Sequence, residues 1–376
     1  MSTQSTQPDL LYSEEEEALR AAVRGLLADR CAAATVLARV ESDAPHDPEL
    51  WKALTDGMGL AGLLVPEELG GQGATHREAA VVLEELGRAV APVPYLTSAV
   101  VATETLLACG TGQGSEAAGL LGQLAAGRTV GALAVGLAVA PGAPFKDVRK
   151  DVRHEEGTLY GELTGIADAA AADVLLVPAD GALYAVDTAQ DGVTVTPQIS
   201  LDLTRPLATV TFDAARGRVL TPDADAAVRR GLRAGAALLA SEQLGLAEWC
   251  LTETVRYTKE RHQFNRPVGS FQALKHRLAQ LWLEVVNTRA AARNAADALA
   301  TASADAEVAA ALAQAYAAPV AVHAAEEALQ LHGGIGMTWE HPVHLYLKRA
   351  KADSIAFGTA GRHRDALAEL VDLRAP

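Results

Sequence analysis

Aromatic side chains are only 4% of this 376-residue chain. Its core is therefore not built on large rings, and its abundant alanine favours close-packed helices instead. Cysteine is almost absent: Cys31, Cys109 and Cys250 lie far apart and match no metal-ligand or redox spacing. A reduced, cytoplasmic setting is the expectation. Positive charge is in deficit, with 32 Lys and Arg against 47 Asp and Glu and a net charge of −15. Such a chain repels nucleic acid and anionic lipid unless it holds a strong local basic patch, and none is visible. Apolar runs are broken by charge or glycine before the roughly 18 residues a membrane span needs, so no span is expected. Residues 1–7 are polar, with no basic segment leading into an apolar one, so no signal peptide is expected.

What is present is length and apolar content enough for two or three packed units. Ser13 followed by Glu14, Glu15, Glu16 and Glu17 reads as a helix N-cap with acids on the positive end of the dipole. Helical patterns follow at 48–54, 75–88, 96–108 and 116–125. Near Gly127 the texture changes. Short β-branched runs at 173–177, 192–196 and 208–212, punctuated by Gly, Pro and Asp, predict a small antiparallel β domain. Long Ala/Leu segments at 226–260, 272–301, 305–331 and 341–355 are helical again. Helices, then strands, then helices give an α+β protein with three parts, 1–126, 127–222 and 223–376.

Three motifs stand out. The first is Pro66-Glu67-Glu68-Leu69-Gly70-Gly71-Gln72-Gly73. The second is Tyr257-Thr258-Lys259-Glu260-Arg261-His262-Gln263-Phe264-Asn265-Arg266-Pro267-Val268, with Phe271-Gln272 and Lys275-His276 after it. The third is Gln330-Leu331-His332-Gly333-Gly334-Ile335-Gly336, with Trp339-Glu340 and Pro342. Physically, a guanidinium at Arg261, where a long helix breaks, can grip a diphosphate bidentately. Gln330 precedes glycines at a helix end, where bare backbone can approach an anion. Taken singly, Phe264 and Phe271 read equally well as core and Arg261 as a surface ion pair.

In order and flanking a β segment, the three motifs resemble the acyl-CoA dehydrogenase family over nearly the whole chain. The resemblance implies an N-terminal helical domain, a middle antiparallel β-barrel and a C-terminal four-helix bundle. It implies FAD, held across a subunit interface by Arg261, Gln263, Phe264, Gln272, Gln330, Gly333, Gly334 and Thr359. It further implies an acyl-CoA substrate, an electron-transfer flavoprotein as acceptor, and a homo-oligomer or a heterotetramer with a homologous subunit. Residues 133–145 depart from it, lacking the polar signature with which the family touches flavin.

The family reaction takes a proton from Cα of an acyl thioester and passes a hydride from Cβ to flavin N5. It needs a carboxylate base in a dry site and donors on the thioester oxygen. In much of the family the base immediately precedes a Gly-Thr pair. Here Gly358-Thr359 is preceded by Phe357, whose backbone N–H alone could polarise the thioester. Some relatives keep the base on the first long C-terminal helix, and that place falls at Gly235. Glu242, seven residues on along the same helix face, is the remaining candidate base. Its apolar neighbours Ala237, Leu238, Leu239 and Leu246 predict a raised pKa, while an ion pair with a neighbouring helix is the structural alternative. The small residues Gly231, Ala234, Gly235, Ala236 and Ala237 predict a roomy pocket suited to a branched or polycyclic acyl group. Lys348, Arg349 and Lys351 read as a solvated basic turn. His262, His276, His332 and His344 show no metal spacing, and no metal site is expected.

Three functions follow. The chain is an FAD-dependent acyl-CoA dehydrogenase or a subunit of one; or it is the partner of an α2β2 assembly that contributes flavin contacts and no base; or it is a flavin oxidase or monooxygenase on the same fold, which needs no carboxylate at Cα. DNA-binding relatives of the fold are opposed by the net charge of −15.

Overall fold

The computed structural model describes residues 10–112, 114–143 and 152–373; residues 1–7 and the end of the 133–145 stretch, on which expectations above bear, lie outside them. The first helix, α1 (Glu14–Arg30), begins with a capping box. Glu16 N–H donates to Ser13 Oγ at 3.1 Å, and Ser13 N–H donates to Glu16 Oε2 at 2.6 Å. This local device is why the helix start is legible in sequence. Next come α2 (Ala33–Val40), α3 (Pro48–Thr55) and α4 (His76–Ala89). The expected helix at 96–108 opens as wide π turns, Tyr95–Ala102, before becoming α5 (Thr103–Leu107), and α6 (Glu116–Ala125) follows. The wide turns sit at the junction with the β domain. Ser98 Oγ accepts from Gly131 N–H at 3.0 Å, and Thr97 Oγ1 donates to Asp168 Oδ2 at 2.6 Å.

The β part is two four-stranded sheets. One holds β1 (Gly131–Leu133), β4 (Val174–Ala179), β5 (Ala182–Asp187) and β8 (Arg218–Thr221), in that order. The other runs β2 (Val152–Glu155), β3 (Thr158–Ala167), β7 (Leu207–Arg216), β6 (Val193–Gln198). The domain is not wholly antiparallel: β1 pairs with β4 in parallel, a long-range pairing that no hairpin signal announces. Leu175, Val177 and Ala179 face the core between the sheets, whereas Val174 and Leu176 join the helical core. Burial on both faces explains why β4 reads as a continuous apolar run rather than an alternation.

The C-terminal part is built on α7 (Ala224–Glu260), α8 (Gln272–Ala300) and α9 (Ala306–His332). The shorter α10 (Val343–Asp353) and α11 (Ala360–Leu370) both pack on α9, together taking the place of a fourth long helix. By length and hydropathy the stretch Ala306–Met337 could cross a bilayer, contrary to the sequence reading of its runs, but 61% of its apolar window is buried inside the protein. Where α4 crosses α7, a Cβ on Gly87 would strike the backbone of Glu242 and one on Gly245 would strike that of Glu84. Only glycine lets these two backbones meet so closely.

Candidate functional site

Two regions along α7 carry the sequence-predicted residues. The first lies at its C-terminal end. Arg261 caps the helix and leads into a two-residue turn between β9 (His262–Gln263) and β10 (Arg266–Pro267). Phe264 and Asn265 both sit at positive φ, +52° and +58°, as a tight hairpin turn of this kind requires. Phe264 is 86% exposed at the tip, with its ring edge-on to Phe271 at 6.1 Å. The Arg266 guanidinium lies 3.9 Å over the Phe271 ring.

Facing this hairpin is the end of α9. Arg261, Gln263, Phe264, Gln330, Gly333 and Gly334 line one groove of about 660 Å³. A Cβ at Gly333 or Gly334 would meet nothing within 4 Å, so their backbone lies bare to the groove. Arg261 is exposed and has no ion pair among the described residues. Gln272 and Thr359 are not part of this lining. Gln272 is exposed at the first turn of α8, and Thr359 caps α11, accepting from Arg362 N–H at 3.4 Å. Sequence reasoning gave no role to Tyr257 and His332, which also line the groove with their rings 4.5 Å apart. Their place inside two of the three motifs was the available signal.

The second region surrounds Phe357, which is buried with φ +52°. Its ring occupies the space above Gly235: a Cβ there would lie 2.7 Å from Phe357 Cζ and 2.8 Å from Val101 Cγ2. The two positions at which the family keeps its base are thus packed against each other. The cleft beside them, lined by Thr97, Val101, Leu133, Leu137 and Leu232, holds about 20 Å³. That is close to one water and far below the size of a ligand pocket. Of the small residues of α7, Ala236 lines a separate groove of about 700 Å³ with Ala140, Ala310 and Ala311, while the others are taken up in packing. Ala234, Ala236 and Ala237 are buried, and Gly231 admits the Thr105 side chain. Nor is the Phe357 N–H free to polarise a thioester, because it donates to Leu137 O at 2.6 Å. The Phe357 carbonyl contacts His363 Nε2 at 3.0 Å, so both backbone groups of this turn are engaged.

Glu242 does not have the raised pKa predicted for a base. Its Oε2 accepts from Arg205 Nη2 at 2.6 Å and its Oε1 from Arg349 Nε at 2.7 Å. Burial pushes its pKa up, but the Arg205 and then the Arg349 charges outweigh burial and hold the carboxyl below its ordinary value. A carboxylate so held is a poor proton acceptor, so the structure turns the base reading of Glu242 into the ion-pair one. Arg349 is correspondingly buried rather than part of a solvated turn. Asp168, next in sequence to cleft-lining Ala167, is no substitute. Burial raises its pKa, yet His46 at 2.8 Å and Thr97 overcome this and hold it low.

Comparison with known proteins decides the family. Residues 13–127 match "Acyl-CoA dehydrogenase, N-terminal domain", and residues 226–371 match "Acyl-CoA dehydrogenase, C-terminal domain". The chain is 38% identical to acyl-CoA dehydrogenase IpdE2 of Mycolicibacterium smegmatis over 92% of its own length and 95% of that protein's. The chain belongs to the acyl-CoA dehydrogenase family. Among solved structures it resembles the Tcur3481-Tcur3483 steroid ACAD at 29% identity and TM-score 0.83, covering 96% of this chain and 98% of that one. It resembles the ChsE4-ChsE5 complex from Mycobacterium tuberculosis at 27% identity and TM-score 0.83, covering 98% and 100%. Acyl-CoA dehydrogenases are FAD flavoproteins, oxidoreductases acting on a CH–CH group. The groove on α7 and α9 suits the nucleotide end of FAD, with a free guanidinium, bare backbone and two aromatic rings. Residues 133–143 and the filled cleft do not suit the ring end, since that stretch carries no polar side chain.

Proposed function

We propose that this chain is the base-lacking member of a two-component acyl-CoA dehydrogenase. It supplies nucleotide-side FAD contacts to a homologous subunit that carries the catalytic carboxylate and the acyl pocket. The observation that carries this reading is the Phe357 ring above Gly235, which removes the base from both of its places and fills the space beside them. FAD, when bound, supplies the two-electron acceptor for α,β-dehydrogenation. Arg261 would hold its diphosphate bidentately, and Gly333 and Gly334 would let the backbone approach. Gln263 and Gln330 would donate to its polar edges, and Phe264 with Phe271 would offer a face for stacking. Gln272 and Thr359, placed off this groove, would meet FAD only at its periphery or at a subunit contact. The ChsE4-ChsE5 complex and the Tcur3481-Tcur3483 steroid ACAD are both named for two components, which supports a paired assembly. The acyl-CoA would lie in the partner, with an electron-transfer flavoprotein as acceptor, in the cytoplasm, where three free thiols stay reduced.

The test is the visible spectrum of the chain purified alone and co-purified with a homologous subunit bearing Glu before its Gly-Thr pair. Alone, the chain should not be bleached by any acyl-CoA. The pair should carry one FAD per two chains and be bleached by its substrate. A chain that alone holds stoichiometric flavin, and loses its colour on adding an acyl-CoA, defeats the proposal.

A further inference from the structure

Behind the groove lies a group of side chains of which only His332 also lines it. Glu253 of α7, His332 at the end of α9 and His341 just before α10 bring one potential ligand atom each to within 4.8 Å of one another. They come from three separate elements, so no sequence spacing announces them. His332 is 2% exposed. Its Nδ1 is engaged with the Ala328 carbonyl at 2.6 Å, while its Nε2 is buried with no hydrogen-bond partner. A buried imidazole nitrogen without a partner is costly to leave so. An Nδ1–H given to a backbone carbonyl, with Nε2 left as a lone pair, is the tautomer that metal-ligating histidines adopt. The His341 ring lies 4.3 Å from that of His332.

We propose that Glu253, His332 and His341 bind a divalent transition-metal ion of the zinc type. Two imidazoles and one carboxylate form a donor set that such ions favour, with a fourth position left for water. Bonds of about 2.1 Å in tetrahedral geometry put ligand atoms about 3.4 Å apart. The three groups therefore have to draw together by about an ångström, which the half-exposed His341 ring can supply by rotation. The Arg256 guanidinium takes one side of the Glu253 carboxylate. A carboxylate has about four lone-pair sites, so that pairing leaves acceptors on the inner side. The long hydrogen bond from Val343 N–H to His341 Nδ1, at 3.3 Å, is the contact that ligation through the other nitrogen would reorganise. The ion would tie the end of α7 to the segment that begins Gly333-Gly334, fixing the wall of the groove.

Calorimetric titration of the metal-stripped full chain with Zn²⁺ tests this, with bound metal counted by mass spectrometry after dialysis. One Zn²⁺ per chain is expected, reversed by chelator. His341→Ala, on a half-exposed loop position that leaves the core intact, should weaken binding at least tenfold. His332→Gln and Glu253→Gln should do the same, while His154→Ala on β2 should leave it unchanged. Absence of Zn²⁺ uptake overturns the proposal, and so does uptake that His341→Ala and His332→Gln both leave unaltered. Neither outcome depends on whether the chain has a base, since the readout is metal and not turnover.

Discussion

The two regions beside α7 use glycine in opposite ways. At the groove, Gly333 and Gly334 have nothing near the place a Cβ would take, so their backbone is offered outward. At the cleft, the missing Cβ of Gly235 is space that the protein has already filled with its own Phe357. One absence makes room for a ligand, and the other makes room for packing. A glycine in a motif therefore says that something comes close, and only the surroundings say whether it is a ligand or the chain itself. The same contrast separates the two charged residues singled out on this helix. Arg261 stands exposed at the C-terminus with its donors free, whereas Glu242 is 1% exposed with both oxygens engaged.

The strongest way to break this comparison is to empty the cleft. Phe357→Ala should cost about 3–5 kcal/mol, the usual range for removing a buried Phe, read by urea denaturation. A cost below about 1 kcal/mol would mean that the ring is not a packed plug. At the groove the order of effects should reverse. Arg261→Ala should leave stability within about 0.5 kcal/mol, yet weaken FAD retention in the assembled enzyme by about 10–100-fold, as expected for losing hydrogen bonds to a charged group. Unchanged FAD affinity would remove Arg261 from the site. The glycines give the paired test. Gly235→Ala should destabilise by about 1–3 kcal/mol through overpacking against Phe357 and Val101. Gly334→Ala should cost little stability and act on flavin binding instead. Equal stability losses at both positions would erase the distinction.

How much of this was legible without coordinates follows from the range of the forces involved. The capping box at Ser13 and the helix at 116–125 rest on contacts within a turn or on local periodicity, and the sequence shows both. The second and third motifs come together at Arg261, Gln263, Phe264, Gln330, Gly333 and Gly334, because both lie where long helices end at the same end of the bundle. What was not legible is non-local. The π turns at Tyr95–Ala102 answer to the β1 edge and Asp168, which are far off in sequence. Glu242 sits in an apolar stretch, which locally predicts a raised pKa, but its two arginines arrive from the loop before β7 and from α10. Arg349 looked solvated because its neighbours Lys348 and Lys351 are polar, whereas helix periodicity turns it inward. Phe357 and Gly235 were each readable as a position without a base. That one fills the other is a fact of packing alone.

The smallest expected effect concerns a third place on α7, between groove and cleft. There, among the described residues, Glu242, Asp353 and Asp202 form ion pairs with Arg205 and Arg349, all of them buried, while Lys348 stands near Asp202 outside those pairs. Three carboxyls against two guanidiniums leave one negative charge in excess, and a proton removes it most cheaply. The structure indicates where: Asp353 Oδ1 accepts from Arg205, but Oδ2 has no hydrogen-bond partner among the described residues. Burial, and then the Glu242 charge, push the Asp353 pKa up to about 7, from about 3.9 in an unfolded chain. The folded state thus holds this proton more tightly than the unfolded one. Its contribution to stability is complete below about pH 4, and it is lost as pH rises through about 7. Glu242, with its pKa lowered, works in the opposite sense: its contribution is complete above its ordinary value and is lost as pH falls from there through the lowered folded value. Asp353 titrates between about pH 5 and pH 7.5, so its part of the slope is negative. Asp353→Asn keeps the acceptor for Arg205 and deletes the titration. The variant should lose less stability than the parent across that window in urea melts. Parallel curves for the two would mean that Asp353 is ionised in the folded protein, and that the cluster tolerates its surplus charge without a proton.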